Sequence, residues 1–533
     1  MRGAVVICPP LAYEAVCAHE SLRLLGEQLA SRGIVAMRID YDGTSNSIGS
    51  GRDPERVTAW RQTIVDAVTE LRAWGVGPVH LVGLRVGATL AAGVAADTTA
   101  DAPAVDGVVM WDPVVSGRRY SRELQMLSAS SGLRPEPADD GIAIAGVRLS
   151  ADTLADLKRV NLETVDVPCL VINRSERSES PDTPAEQFGS DVEQRSLDGT
   201  EAMLGTDVEL AVAPLGILTA VVDWIDGRLP TATTPVEAPS LTGEALESNG
   251  GTALVHRAGR IGAGELFRIE TTEQGRRPEC AVVMLNNGLA PLIGPGRSWF
   301  ELAAEVAARG WAAVRVDFSG IGDSPARPGC ETGEPYPPHG GSDIADVVAA
   351  LRAEGVRQIA LIGLCSGAVL AFDGAIATDG IDVIISVNGR FDRPFFDERR
   401  YRRLRAAPHT NRLIAIPFRK TPLLAWFAKV PTFVWRLLDR TRIVPDPTHA
   451  IRRIVTDRRR VMMIFGEHEW GLIALRRRGG KRFNALVDDP LVTLSICPGL
   501  DHSMFDLAAR AEVLDRVTNY LGEIWSTTSP VAS

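Results

Sequence analysis

Two glycine-framed pentapeptides are the places in this sequence where a reactive side chain could be held. One reads Gly363-Leu364-Cys365-Ser366-Gly367 and the other Gly83-Leu84-Arg85-Val86-Gly87. Each follows a run of buried-type residues (QIALI, PVHLV) and leads into an alanine-rich stretch. Both therefore read as a strand turning sharply into a helix, with the central residue displayed at the turn. The outer glycines serve because Cβ atoms there would collide with the neighbouring strand and helix. A cysteine in that position is a nucleophile in waiting, and it needs a base and a group to orient the base.

Both are available downstream of Cys365. The strand-like VMMIF (461–465) ends in Gly466-Glu467-His468-Glu469, and LVTLSIC (491–497) ends in Pro498-Gly499-Leu500-Asp501-His502. The chain order nucleophile, acid, histidine places all three in loops after buried strands, at one sheet edge. Cys365 is the candidate nucleophile and His502 the candidate base. Glu469 is the candidate orienting acid, ahead of Glu467 because it lies further past the strand end; Asp501 reads as a loop residue. Ser366 is the rival nucleophile. With Cys365 as the nucleophile, the Ser366 N–H instead faces a developing oxyanion, together with the N–H of Leu289 in the loop after AVVML (281–285). His409, His449 and His468 read as solvated or structural.

The first pentapeptide cannot do this chemistry. Arg85 is no nucleophile, and no histidine occurs between His80 and His256. LDGTEAML (197–204) stands where the second copy has GLDHSMF. Arg85 is either an inert surface replacement or a side chain projecting into a vestigial pocket, where it would hold a carboxylate or phosphate.

The elements that must position these residues occur twice in the same order. AVVIC (4–8), a helix over 19–33, IVAMRIDYDGTSNS (34–47), a helix over 58–74 and PVHLVGLRVGATLAAG (78–93) are matched by a second series. That series is AVVML (281–285), a helix over 299–310, WAAVRVDFSGIGDS (311–324), a helix over 343–354 and QIALIGLCSGAVLAF (358–372). Alternating strands and helices with near-continuous apolar strands predict α/β architecture, a doubly wound, mostly parallel sheet in each half. The expected boundaries are a domain over 1–230, a Pro/Thr/Ser/Gly-rich linker over 231–251 and a domain over 252–527. The second domain is expected to open on a β-hairpin over 252–271.

Composition bounds the rest. At 533 residues the chain exceeds one ordinary core, and 45% hydrophobic with 23% charged residues is globular composition. The net charge of −10 argues against nucleic acid as partner but hides an asymmetry: residues 1–240 carry net −14, residues 390–460 net +13. The latter segment interleaves arginine with Phe, Trp, Leu and Ile, and reads as a helical cap insert. Its arginines are either simply solvated or meet an anionic partner, which an acidic carrier protein, phosphopantetheine, coenzyme A or an anionic membrane surface would supply. Seven scattered cysteines without CxxC spacing argue against disulfides or a zinc site and for a reducing compartment. With no signal-peptide pattern at MRGAVVICPP and no long apolar run, the expected location is the cytoplasm. No metal or cofactor is expected.

The motifs also carry a family resemblance. CPPLAYEAVCAHESLRLLGEQLASRG, RIDYDGTSNS and MWDPVVSGRRY make the first half resemble the exosortase-system-associated hydrolases of the second type. LNNGLAPLIGPGRS, RVDFSGIGDS and GLCSGA make the second half resemble those of the first type. The resemblance implies two α/β-hydrolase folds in tandem, a cap after the sixth strand, an elbow cysteine as nucleophile, and acyl chemistry beside acyl-carrier proteins and acyl-CoA ligases. Arg85 and the missing histidine depart from it and leave the first half a pseudo-hydrolase. The expected function is an acyl hydrolase (thioesterase or esterase) or acyltransferase running on Cys365, His502 and Glu469. The alternative is a non-catalytic scaffold that docks acyl-carrier partners through the basic cap.

Overall fold

The computed structural model describes residues 1–99, 102–131, 141–176, 191–205, 207–231, 243–330, 332–391 and 446–526. They form two compact units, one centred on Met1–Glu247 and the other on Ser248–Gly294, Glu301–Met504 and Ala509–Ser533. Most of the expected cap, with its arginines 399, 400, 402 and 403, lies outside the described residues, as do residues 232–242 of the expected linker.

In the first unit the strands are β1 (Gly3–Cys8), β2 (Ile34–Arg38), β3 (Val79–Leu84) and β4 (Gly107–Trp111), then the small hairpin β5 (Ile142–Ile144) and β6 (Val147–Leu149), then β7 (Cys169–Arg174) and β8 (Val192–Leu197). Six of them make one parallel sheet in the order β2-β1-β3-β4-β7-β8. Both faces are covered. Ala4, Val6 and Cys8 of β1 enter one apolar cluster, while Val5 and Ile7 enter the other. Each fully buried Val or Ile contributes about 1.5–3 kcal/mol of transfer free energy, which is why these strands read as unbroken apolar runs. The first helix begins at Ala12 rather than near residue 19 and ends at Ser31. Pro9 and Pro10 fill the short turn before it, and Tyr13–Ala18 continue the helical pattern without a breaker. Gly33, at a φ of +74°, follows its end.

The second sheet is built from β9 (Gly243–Asn249), β10 (Thr252–Ile261), β11 (Leu266–Glu273), β12 (Cys280–Met284), β13 (Ala312–Val316), β14 (Gln358–Leu364), β15 (Val383–Val387), β16 (Arg460–Gly466) and β17 (Val492–Cys497). They form one sheet in the order β17-β16-β15-β14-β12-β13-β11-β10-β9. The run β17 to β13 is parallel, and β11 and β10 are antiparallel additions. The expected hairpin is β10–β11. Strand β9 corrects the linker expectation, because Gly243–Asn249 pairs into the sheet inside the 231–251 segment. Asn249-Gly250-Gly251, with both glycines at positive φ, is the tight turn that folds β9 back onto β10. The order β2-β1-β3-β4-β7-β8 of the first sheet repeats the order β13-β12-β14-β15-β16-β17 of the second. Among the described residues no helix is long and apolar enough to cross a membrane.

Candidate functional site

Strand β14 ends in the Cys365 turn, and the helix Ser366–Ala377 begins at the next residue. Cys365 has φ +54° and ψ −111°, a strained conformation that costs roughly 1–3 kcal/mol and persists only where its surroundings enforce it. The enforcement is visible. A Cβ at Gly363 would lie 2.2 Å from the Gly367 carbonyl carbon, and one at Gly367 would lie 2.3 Å from the Asn286 oxygen. The Cys365 N–H donates to the Val387 carbonyl across the sheet at 3.1 Å. The thiol residue is partly exposed, whereas Ser366 is buried. The strained position is thus residue 365, and Ser366 is the first residue of the helix.

Ser366 holds the neighbouring loop. Its Oγ accepts from the Gly288 N–H at 2.7 Å. Asn286 ties the same loop from below: its Nδ2 donates to the Ala290 carbonyl (3.0 Å) and to Asp317 Oδ1 (2.8 Å), and its Oδ1 accepts from the Phe318 N–H (2.7 Å). Asp317, fully buried, also accepts from the Leu292 N–H at 2.7 Å. Among the described residues the N–H groups of Ser366 and Leu289 have no acceptor. Such uncommitted donors in an anchored loop suit a developing oxyanion.

Glu469 and His502 come from the loops after β16 and β17. His502 Nδ1 lies 3.0 Å from Glu469 Oε2, with the carboxylate 11% and the imidazole 43% exposed. That bond places the proton on Nδ1 and leaves Nε2 as the ring nitrogen open to another partner. Burial works against the imidazolium, but hydrogen bonds to Cys365 and to Glu469, with their charges, outweigh it and raise the His502 pKa from 6.5 to about 10. Glu467 and His468 are exposed, and Asp501 keeps its side chain on the Ser503 N–H in its own loop at 3.0 Å. The structure therefore brings Cys365, His502 and Glu469 together, with Ser366 and Leu289 beside them.

Sequence reasoning missed Asn388, which sits immediately past β15, fully buried. An asparagine followed by glycine at the end of an apolar run was a turn signal, but its partners lie 78 and 113–114 residues away.

The first unit repeats the turn with different side chains. Arg85 has φ +56° and ψ −124°, and its N–H donates to the Trp111 carbonyl at 3.0 Å. Cβ atoms at Gly83 and Gly87 would lie 2.3 Å from Ala88 Cα and 2.4 Å from the Cys8 oxygen. Arg85 is 6% exposed, which overturns the inert-surface expectation. Its guanidinium meets Glu14 at 2.9 Å, Glu123 at 3.1 Å and Asp112 at 3.5 Å, and lies over the Tyr120 ring. Burial opposes the charge, yet Glu14 and Asp112 more than compensate and push its pKa further up. Asp112 is shared with Arg174, which also pairs with Glu201 at 2.8 Å. The carboxylates that Arg85 holds are the protein's own.

Comparison with known proteins bears on the second unit. Residues 282–516 match the model of the alpha/beta hydrolase family. No curated protein matches the chain. Among solved structures, a carboxylesterase of Nitrososphaera gargenis is 15% identical, with 53% of this chain and 100% of that one covered at a TM-score of 0.33. Proline iminopeptidase of Mycobacterium smegmatis is 18% identical, with 50% and 98% covered at 0.30. Est1E of Butyrivibrio proteoclasticus, solved with ferulic acid bound, is 15% identical, with 42% and 88% covered at 0.32. The family match, the strand order and the strained turn after β14 together give this part of the chain the alpha/beta hydrolase fold.

Proposed function

We propose that the second unit is a cysteine hydrolase of esters or thioesters and that the first is a degenerate, non-catalytic copy of the same fold. The observation that carries the reading is the strained Cys365 turn with His502 held against it by Glu469. The Cys365 thiolate attacks an acyl carbonyl carbon, forming a C–S bond, while the carbonyl electrons move to oxygen. The Ser366 and Leu289 N–H groups receive that oxyanion. Collapse breaks the bond to the leaving alkoxide or thiolate, which takes the proton from His502 Nε2. Water then gives its proton to Nε2 and attacks the acyl-thioenzyme, releasing the acid and restoring the thiolate. Another acceptor in place of water would make the same site an acyltransferase. A thiol nucleophile suits thioesters, because acyl exchange between sulfurs is nearly isoenergetic. Carrier-protein or coenzyme A thioesters, being anionic, would dock through the basic, arginine-rich 390–460 segment.

The test is a thiol-directed electrophile on the intact chain. Rapid stoichiometric labelling of Cys365 by iodoacetamide, abolished by His502→Ala, is expected. Labelling no faster than that of free cysteine would favour the non-catalytic scaffold.

A further inference from the structure

Asn388 has a φ of +46°, a left-handed conformation that asparagine tolerates better than most residues. Its N–H donates to the Ile464 carbonyl at 2.9 Å. Its side chain joins two further loops. Oδ1 accepts from the Gly466 N–H at 3.0 Å, at the start of the loop carrying Glu469. Nδ2 donates to the carbonyls of Asp501 (2.9 Å) and of His502 itself (3.1 Å). Two carbonyls require the NH2 end and one N–H requires the oxygen, so only one amide orientation serves, and only an amide serves all three. The surroundings leave no slack. A Cβ at Gly466 would lie 2.2 Å from the Leu500 oxygen, and one at Gly471 would lie 2.1 Å from the Gly389 oxygen.

We infer that Asn388 is a positioning residue that fixes the spacing between the Glu469 loop and the His502 loop, so that the carboxylate meets Nδ1 while Nε2 faces Cys365. The inference rests on the hydrolase reading given above. The matching place in the first sheet supports it by contrast. Asp112, at φ +47° with its N–H on the Ile172 carbonyl at 2.7 Å, follows β4 as Asn388 follows β15. With no base loop to hold, that position carries an acid, which pairs with Arg174 and Arg85.

The test is Asn388→Asp in the full chain. A carboxylate keeps the Gly466 bond but sets negative charge against the two carbonyl oxygens, so it disturbs the base loop selectively. With p-nitrophenyl butyrate, kcat is expected to fall roughly 30-fold with KM little changed, because small misplacements of a catalytic group are costly. The His502 imidazole, followed by NMR with labelled histidine, is expected to titrate at lower pH than in the parent. Lowering the pH protonates the new carboxyl and returns one donor, so the ratio of variant to parent rate is expected to rise as pH falls. Val383→Ala, at the other end of β15, supplies loss of packing without touching the loops. A kcat loss no greater than that of Val383→Ala, with His502 titrating as in the parent, would overturn the inference. Full turnover in Cys365→Ala would fault the hydrolase reading instead, and the His502 titration would still decide the role of Asn388.

Discussion

The turns at residues 85 and 365 have the same backbone and opposite contents. Both central residues sit at φ near +55° with similar ψ, both donate their N–H to the last carbonyl of the next strand, and both are framed by glycines that admit no Cβ. At 365 the strain displays a partly exposed thiol beside an imidazole held by a carboxylate. At 85 it displays a guanidinium that three carboxylates of the same unit surround. The strained backbone accepts a guanidinium as readily as a thiol, whereas the proposed chemistry would depend on side chains from three separate loops.

The largest difference between the two turns is expected at their central residues. Cys365→Ala should lower ester turnover by about 10⁴-fold or more, the scale seen when a nucleophile is removed. Arg85→Ala should leave turnover per folded molecule unchanged. Cys365→Ser should retain partial ester cleavage, since the geometry survives without the thiolate. If Ser366→Ala were the silent-to-lethal change and Cys365→Ala harmless, the assignment of the turn would be wrong by one residue.

Arg85→Ser sharpens the other side. It leaves Glu14 and Glu123 without their cation, while Asp112 keeps Arg174, and urea denaturation should show the first unit destabilised by about 3 kcal/mol. It should create no hydrolase, because no histidine lies between His80 and His256. Hydrolysis remaining in a Cys365→Ala, Arg85→Ser double variant would contradict the non-catalytic reading.

Ser366→Ala is a smaller effect on the same geometry. Losing the bond from Gly288 loosens the loop that carries Leu289 and should lower kcat about tenfold, the equivalent of one hydrogen bond. The loss should fall on esters and thioesters alike when both are assayed, and a change confined to KM would argue that the loop binds substrate without stabilising the oxyanion.

The mildest probe is pH. His502 should remain protonated through neutral pH and titrate near pH 10, as followed by NMR. Its folded-state pKa lies above the ordinary value of 6.5, so its partners add stability that is complete below about pH 6.5 and is lost as pH rises toward 10. Cys365→Ala and Glu469→Gln should each lower the midpoint. An unchanged midpoint in both variants would show that neither partner holds the imidazolium.

Much of this was legible in the residues. The parallel strands read as apolar runs because both sheet faces are covered, and their ends then placed Cys365, Glu469 and His502 at one edge. What the sequence did not reveal depends on partners distant along the chain. The environment of Arg85 needs Glu14, 71 residues earlier, and Glu123, 38 residues later. Asn388 acts through loops that no local pattern connects to it. Strand β9 was hidden by its composition, since an exposed edge strand with Glu and Ser resembles a linker until its Asn-Gly-Gly turn is given weight.

The most direct measurement is intact mass followed by peptide mapping after brief exposure of the full chain to panels of p-nitrophenyl esters and acyl thioesters. An acyl adduct on Cys365, absent in Cys365→Ala and untouched by Arg85→Ala, is the expected result. An adduct on Ser366, or no adduct on Cys365 while substrate is consumed, would contradict the cysteine hydrolase.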